Sequence, residues 1–305
     1  MRLWARPSAG LLLGALFLGA CGSGRETPTD SSPPEEPHER AAVPEPPPRP
    51  PVHYEPWHVD GATELSQKAA ELGEDLFGLV LRVNRIDLAH VRKGETILIP
   101  RNAEGPLDVA PLPLESATLA AVPRLIAVSR SIQAFGAYEQ GRLVRWGPTS
   151  TGREDTPTPA GLFFLNWKAR QTRSTDNDAW LLKWYFNFHN RRGISFHEYD
   201  LPGMPASHAC VRLLADDAEW LYRWGVQWLL SRDGTRVLAE GTPVVVFGEY
   251  DWEATSPPWT RLHEDPGKGR IPPEELAETL GSHLPDIEHA GRRRMEWFLS
   301  MVPLP

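Results

Sequence analysis

The stretch that most restricts the fold is Val244-Val245-Val246-Phe247, a wholly apolar run inside Thr242 to Gly248. Four successive large apolar residues leave no polar face to turn toward water. In extended form both faces must be buried, which is the pattern of an interior strand in a layered sheet. Earlier segments supply its neighbours. Arg124 to Ser129, Ile132 to Tyr138 and Leu143 to Pro148 read as a meander with turns at Ser129-Arg130-Ser131 and Glu139-Gln140-Gly141, and Gly161 to Trp167 reads as a fourth strand. A mainly β domain over 124–248 is expected. Asp216 with Glu219 forms a capping-box pair, and Ala218, Leu221, Trp224 and Trp228 recur at helical spacing, so one amphipathic helix of about four turns supports the sheet.

Residues 1–20 have the layout of an export signal: Arg2 and Arg6, an apolar run from Leu11 to Leu18 too short to span a bilayer, then Gly19-Ala20. Leu18-Gly19-Ala20-Cys21 resembles a bacterial lipobox, which implies lipidation of Cys21 and a membrane anchor. Gly22, rather than Asp, after that cysteine points by analogy to the outer membrane of a diderm. The expected location is therefore the bacterial cell envelope, lipid-anchored and facing the periplasm. Residues 21–53 are rich in Pro, Glu, Ser and Thr and cannot bury enough surface to offset their ordering entropy, so they read as a disordered tether. About 30 such residues at about 3.1 Å each reach on the order of 90 Å. The chain has two cysteines. With Cys21 acylated no intrachain disulfide can form, and a reduced thiol at Cys210 in an exported protein calls for a chemical reason.

Cys210 lies in Ser207-His208-Ala209-Cys210-Val211-Arg212-Leu213, with His208 two residues before it and His197 at the end of Gly193-Ile194-Ser195-Phe196-His197. A thiol has an ordinary pKa near 8.5, so a nearby imidazole or oriented amides are needed to make it nucleophilic at neutral pH. The segment alternates in character after the loop Pro202-Gly203-Met204-Pro205. That places Cys210 near a strand start, with the N–H groups of Ala209 and Cys210 available to an oxyanion. The other reading of the same residues is a small buried hydrophobe beside surface or core histidines.

The pattern resembles the L,D-transpeptidase (YkuD) family, in which an upstream His, here His197, is followed by a Ser/Thr-His-Gly-Cys block, here Ser207-His208-Ala209-Cys210, and then Arg212. Glu198 and Ala209 stand where the family usually has glycines, and the spacing from His197 to Ser207 is short. Ser150-Thr151-Gly152 and Thr156-Pro157-Thr158-Pro159-Ala160-Gly161 resemble further family elements, so the likeness runs from about Leu125 to Phe247. It implies a mainly β fold with a mixed β-sandwich catalytic domain, Cys210 as nucleophile, His197 as base and His208 as a further catalytic residue. Ser207, Ala209, Arg212 and Tyr185 would bind substrate, Arg212 through a carboxylate. The implied substrates are peptidoglycan stem peptides, with a second stem or an envelope protein as amine acceptor. A same-fold hydrolase and an inert wall-binding lipoprotein are the alternatives. Geometry also favours His197 over His208: from a separate strand it approaches the thiol across the sheet, where opposed Cβ atoms lie about 5 Å apart. Ala209 is tolerated if the family glycine serves only close approach, and strained by about 1 kcal/mol or more if the position needs positive φ.

Outside this domain, Ser66 to Leu72 and Leu76 to Val83 carry helical spacing, and Lys93-Gly94-Glu95-Thr96-Ile97-Leu98-Ile99-Pro100 resembles the second half of a LysM module. A small LysM-like α+β unit over 54–102 is expected, with glycan binding left open. Residues 103–123 read as a Pro-punctuated linker. Arg170 to Arg192 carries Trp180, Leu181, Leu182, Trp184, Tyr185, Phe186 and Phe188 among arginines, as core aromatics or as a loop capping the cleft. Residues 249–305 read as a tail with a short helix at Glu274 to Leu280 and no assigned chemistry. The net charge of −8 argues against a nucleic-acid partner. There is no P-loop, GxGxxG or Cys/His zinc spacing, so no cofactor or metal is expected.

Overall fold

The apolar strand lies where its composition puts it. In a computed structural model, which describes residues 51–174 and 177–301, it is Pro243–Phe247, hydrogen-bonded on both edges. Val244 and Val246 enter one apolar core while Val245 and Phe247 enter another, so its two faces are buried in different places. The export signal, Cys21 and the tether through residue 50 lie outside the described residues.

The chain begins with β1 (His53–His58) and β2 (Thr96–Arg101), paired antiparallel around α1 (Ala62–Asn84). Gly73, at φ +76, breaks α1 into the two stretches that the apolar spacing marks, giving a strand–helix–helix–strand order. There follow β3 (Leu125–Ser129), β4 (Ala134–Glu139), β5 (Arg142–Ser150), β6 (Gly161–Phe164), β7 (Lys168–Arg173), β8 (Leu181–His189), β9 (Ile194–Glu198), β10 (Val211–Leu213) and α2 (Ala215–Trp224). The short pair β11 (Leu229–Leu230) and β12 (Val237–Ala239) precedes the apolar strand, β13, and the chain continues through α3 (Pro273–Gly281) and α4 (Leu284–Met301). Strands 3 to 10 and 13 form one nine-stranded sheet in the order β6-β13-β3-β4-β5-β10-β9-β8-β7. It is mixed: β13 runs parallel to β3 and β10 parallel to β9. Ile126, Phe135 and Val244 from one half share a core with Phe186, Phe196, Val211 and Leu213 from the other, so the sheet curls until its halves face each other.

The structure refines three expectations. Arg170 to Arg192 is mostly the hairpin β7–β8, in which Phe186 and Phe188 are core aromatics between the sheet halves while Trp180 and Leu182 line the cavity. Helix α2 has ten residues and is capped at Leu214 without a side-chain bond. Asp216 pairs with Arg82 and Arg145 instead, and past Trp224 the chain is drawn out of the helix as Val226 N–H donates to Thr242 and Trp228 N–H to Leu165. In the C-terminal segment, read as a tail, Trp259, Leu262, Ile271, Leu276, Leu280 and Ile287 share a core with Leu125, Trp146 and Val245. Val109, Leu112, Leu119 and Val122 join the same core, so the Pro-punctuated 103–123 segment packs along the sheet.

The N-terminal unit is tied to the sheet by charge. Arg82 of α1 donates to the buried carboxylate of Asp217 on α2 at 2.6 Å, and Arg145 of β5 donates to the same group at 2.7 Å. Among the described residues no helix is long and apolar enough to cross a membrane.

Candidate active site

Period-two alternation builds the site. On β9, Ile194 and Phe196 enter the core, and on β10 Val211 and Leu213 do the same, which turns Ser195, His197 and Arg212 to the other face along with Cys210 just before β10. His197, Cys210, Arg212, Ser207 and His208 line one narrow cavity of about 30 Å³, together with Ser174, Trp180, Leu182 and Tyr199.

The register differs from expectation. Arg212, not Cys210, stands opposite His197 in the parallel β9–β10 pair. Cys210 is level with Ser195, whose hydroxyl lies 3.6 Å from the sulfur, and the thiol also points to the Gly193 carbonyl at 3.9 Å. The imidazole therefore lies diagonally from the thiol, two residues beyond Ser195 on β9, and the two side chains line the same cavity.

His197 is 4% exposed, and its Nδ1 lies 3.0 Å from the Glu198 carbonyl oxygen. A carbonyl can only accept, so Nδ1 carries the proton and Nε2 keeps its lone pair. Burial pushes the imidazole down to about 4; the Glu198 carbonyl opposes this in part, and the Arg212 charge adds to it. The ring is neutral at pH 7 and able to take a proton. The Glu198 side chain does not interfere, since it is the backbone that orients the ring.

The loop carrying Cys210 is fastened by the two motif segments before it. The amides of Ala206 and Ser207 both donate to the Thr151 carbonyl at 3.0 Å. Thr158 Oγ1 donates to the Ala209 carbonyl at 2.8 Å and accepts from Gly152 N–H at 2.8 Å. Gly152 has no room for a side chain, because a Cβ there would lie 2.2 Å from the Thr156 carbonyl oxygen. Ser207 Oγ donates to the Cys210 carbonyl, so Ser207 shapes the turn as well as the cavity. Ala209 sits at φ +79 and is buried, which places an L-residue in the left-handed region immediately before Cys210. Of the two readings of this position, the structure has the strained one.

His208 is half-buried and meets the Trp180 ring edge-on, with centroids 5.1 Å apart. Tyr185, expected to bind substrate, is buried and is not among the residues lining the cavity; its hydroxyl donates to the Gly193 carbonyl at 3.0 Å while accepting from Asn187. Burial lowers the Arg212 guanidinium below its ordinary value, yet it stays a cation at neutral pH, 4.6 Å from the Tyr199 ring. Tyr199 and Ser195 are site residues that the sequence reading did not single out, and Trp180, named there among the aromatics of 170–192, lines the cavity. Alternation with His197 is the signal that marks Ser195. Among the described residues no group of three or more His, Cys, Asp or Glu side chains is placed to hold a metal ion.

A thiol, a neutral imidazole with one nitrogen fixed by a carbonyl, and a guanidinium line one cavity, and these are the groups that cysteine-based acyl transfer would use. Residues 123–246 match the family model described as YkuD, L,D-transpeptidase catalytic domain, and this part of the chain belongs to that family. Similar solved structures include an L,D-transpeptidase from Stackebrandtia nassauensis, 24% identical with a TM-score of 0.34, the match covering 42% of this chain and 57% of that one. L,D-transpeptidase 1 of Mycobacterium tuberculosis is 23% identical with a TM-score of 0.31, over 42% of this chain and 63% of that one. The chain thus spans less than two thirds of either protein. No curated protein matches the chain.

Proposed function

We propose that the chain is a peptidoglycan L,D-transpeptidase that works through a thioester on Cys210. The observation that carries this reading is the neutral His197, its Nδ1 proton fixed on Glu198 and its Nε2 lone pair available, in the same cavity as Cys210 and Arg212. His197 Nε2 takes the Cys210 proton as the sulfur attacks the acyl carbon of the diaminopimelate residue in a tetrapeptide stem. The N–H groups of Ala209 and Cys210 receive the oxyanion. The C–N bond to the terminal D-Ala breaks, and the proton on His197 passes to that leaving amine. An amine of a second stem or of an envelope protein then attacks the thioester and gives its proton to His197, and the thiol reforms. Arg212, stacked on Tyr199, holds a stem carboxylate. His208 and Trp180, in edge-on contact, line the same cavity.

In this reading residues 54–102 are a LysM-like unit, supported by the strand–helix–helix–strand order, and a lipid on Cys21 holds the protein in the envelope by its Pro-rich tether. Incubating the protein with sacculi and analysing the released fragments by mass tests the function. New stem-to-stem or stem-to-protein links support transfer. Loss of existing links, with water resolving the thioester, identifies a hydrolase, and unchanged fragments identify an inert wall-binding protein.

A further inference from the structure

The segment 199–206 connects the strand of His197 to the loop of Cys210, and it is fastened at three places. At its start Tyr199 N–H donates to the Leu213 carbonyl at 3.2 Å, and at its end Ser150 Oγ donates to the Met204 carbonyl at 2.7 Å. The middle is held from outside the family-matched region. Asp87, just past α1, donates its N–H to the Leu201 carbonyl at 3.0 Å and accepts the Leu201 N–H on its carboxylate at 2.7 Å. Ile86 forms an antiparallel bridge to Pro202, and the approach is close enough that a Cβ on Gly203 would lie 2.9 Å from Ile86 Cγ2. The other Asp87 oxygen accepts from His90, from the backbone N–H at 3.1 Å and from Nδ1 at 2.8 Å, which fixes the carboxylate in place.

We propose that Asp87 is a positioning residue for the anion-binding side of the active site, acting through Leu201 on Tyr199 and Arg212. Leu201 is fully buried, so its N–H has no water to turn to when the Asp87 carboxylate is removed. Tyr199 lies two residues away, and its ring carries the Arg212 guanidinium at 4.6 Å and meets the His197 ring edge-on at 5.9 Å. Release of Leu201 shifts Tyr199, and with it the place where a substrate carboxylate is held. The N-terminal unit then completes the cleft instead of acting only as a separate wall-binding module. The inference rests on the transpeptidase reading for the nature of the anion, a stem carboxylate, and on the contacts alone for the positioning.

The test compares alkylation of Cys210 by iodoacetate and by iodoacetamide, located by peptide mapping, in the full chain. The anionic reagent senses Arg212 and the neutral one does not, so the ratio of the two rates reads the placement of that charge. Arg212→Ala sets the floor. Asp87→Ala is expected to lower the ratio at least fivefold toward that floor, with the iodoacetamide rate within threefold of wild type. The Leu201 amide should exchange hydrogen at least tenfold faster while the amides of β13 stay protected. A ratio within twofold of wild type overturns the proposal. If Asp87→Ala also loses protection in β13, Asp87→Ser, whose shorter side chain can still accept the His90 N–H but falls short of Leu201, decides by the same ratio: a fall of twofold or more supports positioning and no change overturns it. The ratio needs no stem peptide, so failure of the transpeptidase reading is seen separately, in the sacculus assay.

Discussion

Ala209 offers a sharp check on the geometry of the Cys210 loop, because substituting Gly for it changes three terms of opposite sign. An L-residue at positive φ carries about 1–2 kcal/mol of strain that glycine does not. Against this, glycine loses about 0.5–1 kcal/mol more backbone entropy on folding, and the buried methyl of Ala209 contributes about 0.8 kcal/mol. With φ at +79 and the methyl in the core beside Val211 and Leu213, the terms nearly cancel. Ala209→Gly should leave the unfolding free energy within about 1 kcal/mol of wild type. Ala127 of β3 is equally buried and has no positive φ, so there the strain term is absent and Ala127→Gly should cost about 1.3–1.8 kcal/mol. Urea denaturation of the two variants at equal m-value measures the difference. If Ala209→Gly is as destabilising as Ala127→Gly, the loop is not strained and the account of its amides fails.

Thr158→Val leaves the Ala209 carbonyl and the Gly152 N–H without the hydroxyl that both use, and should cost about 2–4 kcal/mol in the same assay. His197, held at about 4 against an ordinary 6.5, binds fewer protons folded than unfolded. Its contribution is fully present above about pH 6.5 and is lost as the pH falls toward 4. Wild type should lose about 3 kcal/mol relative to His197→Gln over that window, measured by denaturation at each pH. The same variant should slow acylation of Cys210 by about 10²-fold or more in stopped-flow assays. Arg212→Lys keeps the charge but not the planar fork or the stack on Tyr199; KM for a stem peptide should rise about tenfold with kcat within about threefold, as steady-state kinetics would show.

What the sequence made legible follows from how local each signal is. The strand of Val244 to Phe247 was readable because its two faces enter two cores, and only an unbroken apolar run satisfies both. His197, Cys210 and Arg212 were readable as a pattern, but their register was not, since the pairing of β9 with β10 is fixed by the loop between them. The hairpin β7–β8 escaped because a bulge at Trp184, φ +52, breaks the alternation from Leu181 to Phe188. Helical spacing carried on past Gly225 to Trp228, and only the distant acceptors Thr242 and Leu165 end the helix. Irregularly spaced Trp259, Leu262 and Ile271 among prolines and glycines gave no periodic signal, though they pack into a core. Asp87 reaches Leu201 across more than a hundred residues, a contact no local pattern announces.

The central claim is that Cys210 carries the acyl group. Intact-mass measurement of the protein quenched during turnover of a tetrapeptide stem, followed by peptide mapping, tests it directly. The account predicts an added mass equal to the stem shortened by its terminal D-Ala, confined to the peptide containing Cys210, lost in Cys210→Ala and scarce in His197→Gln. Turnover of the stem with Cys210 unmodified throughout, or an acyl group mapped to any other residue, would contradict it.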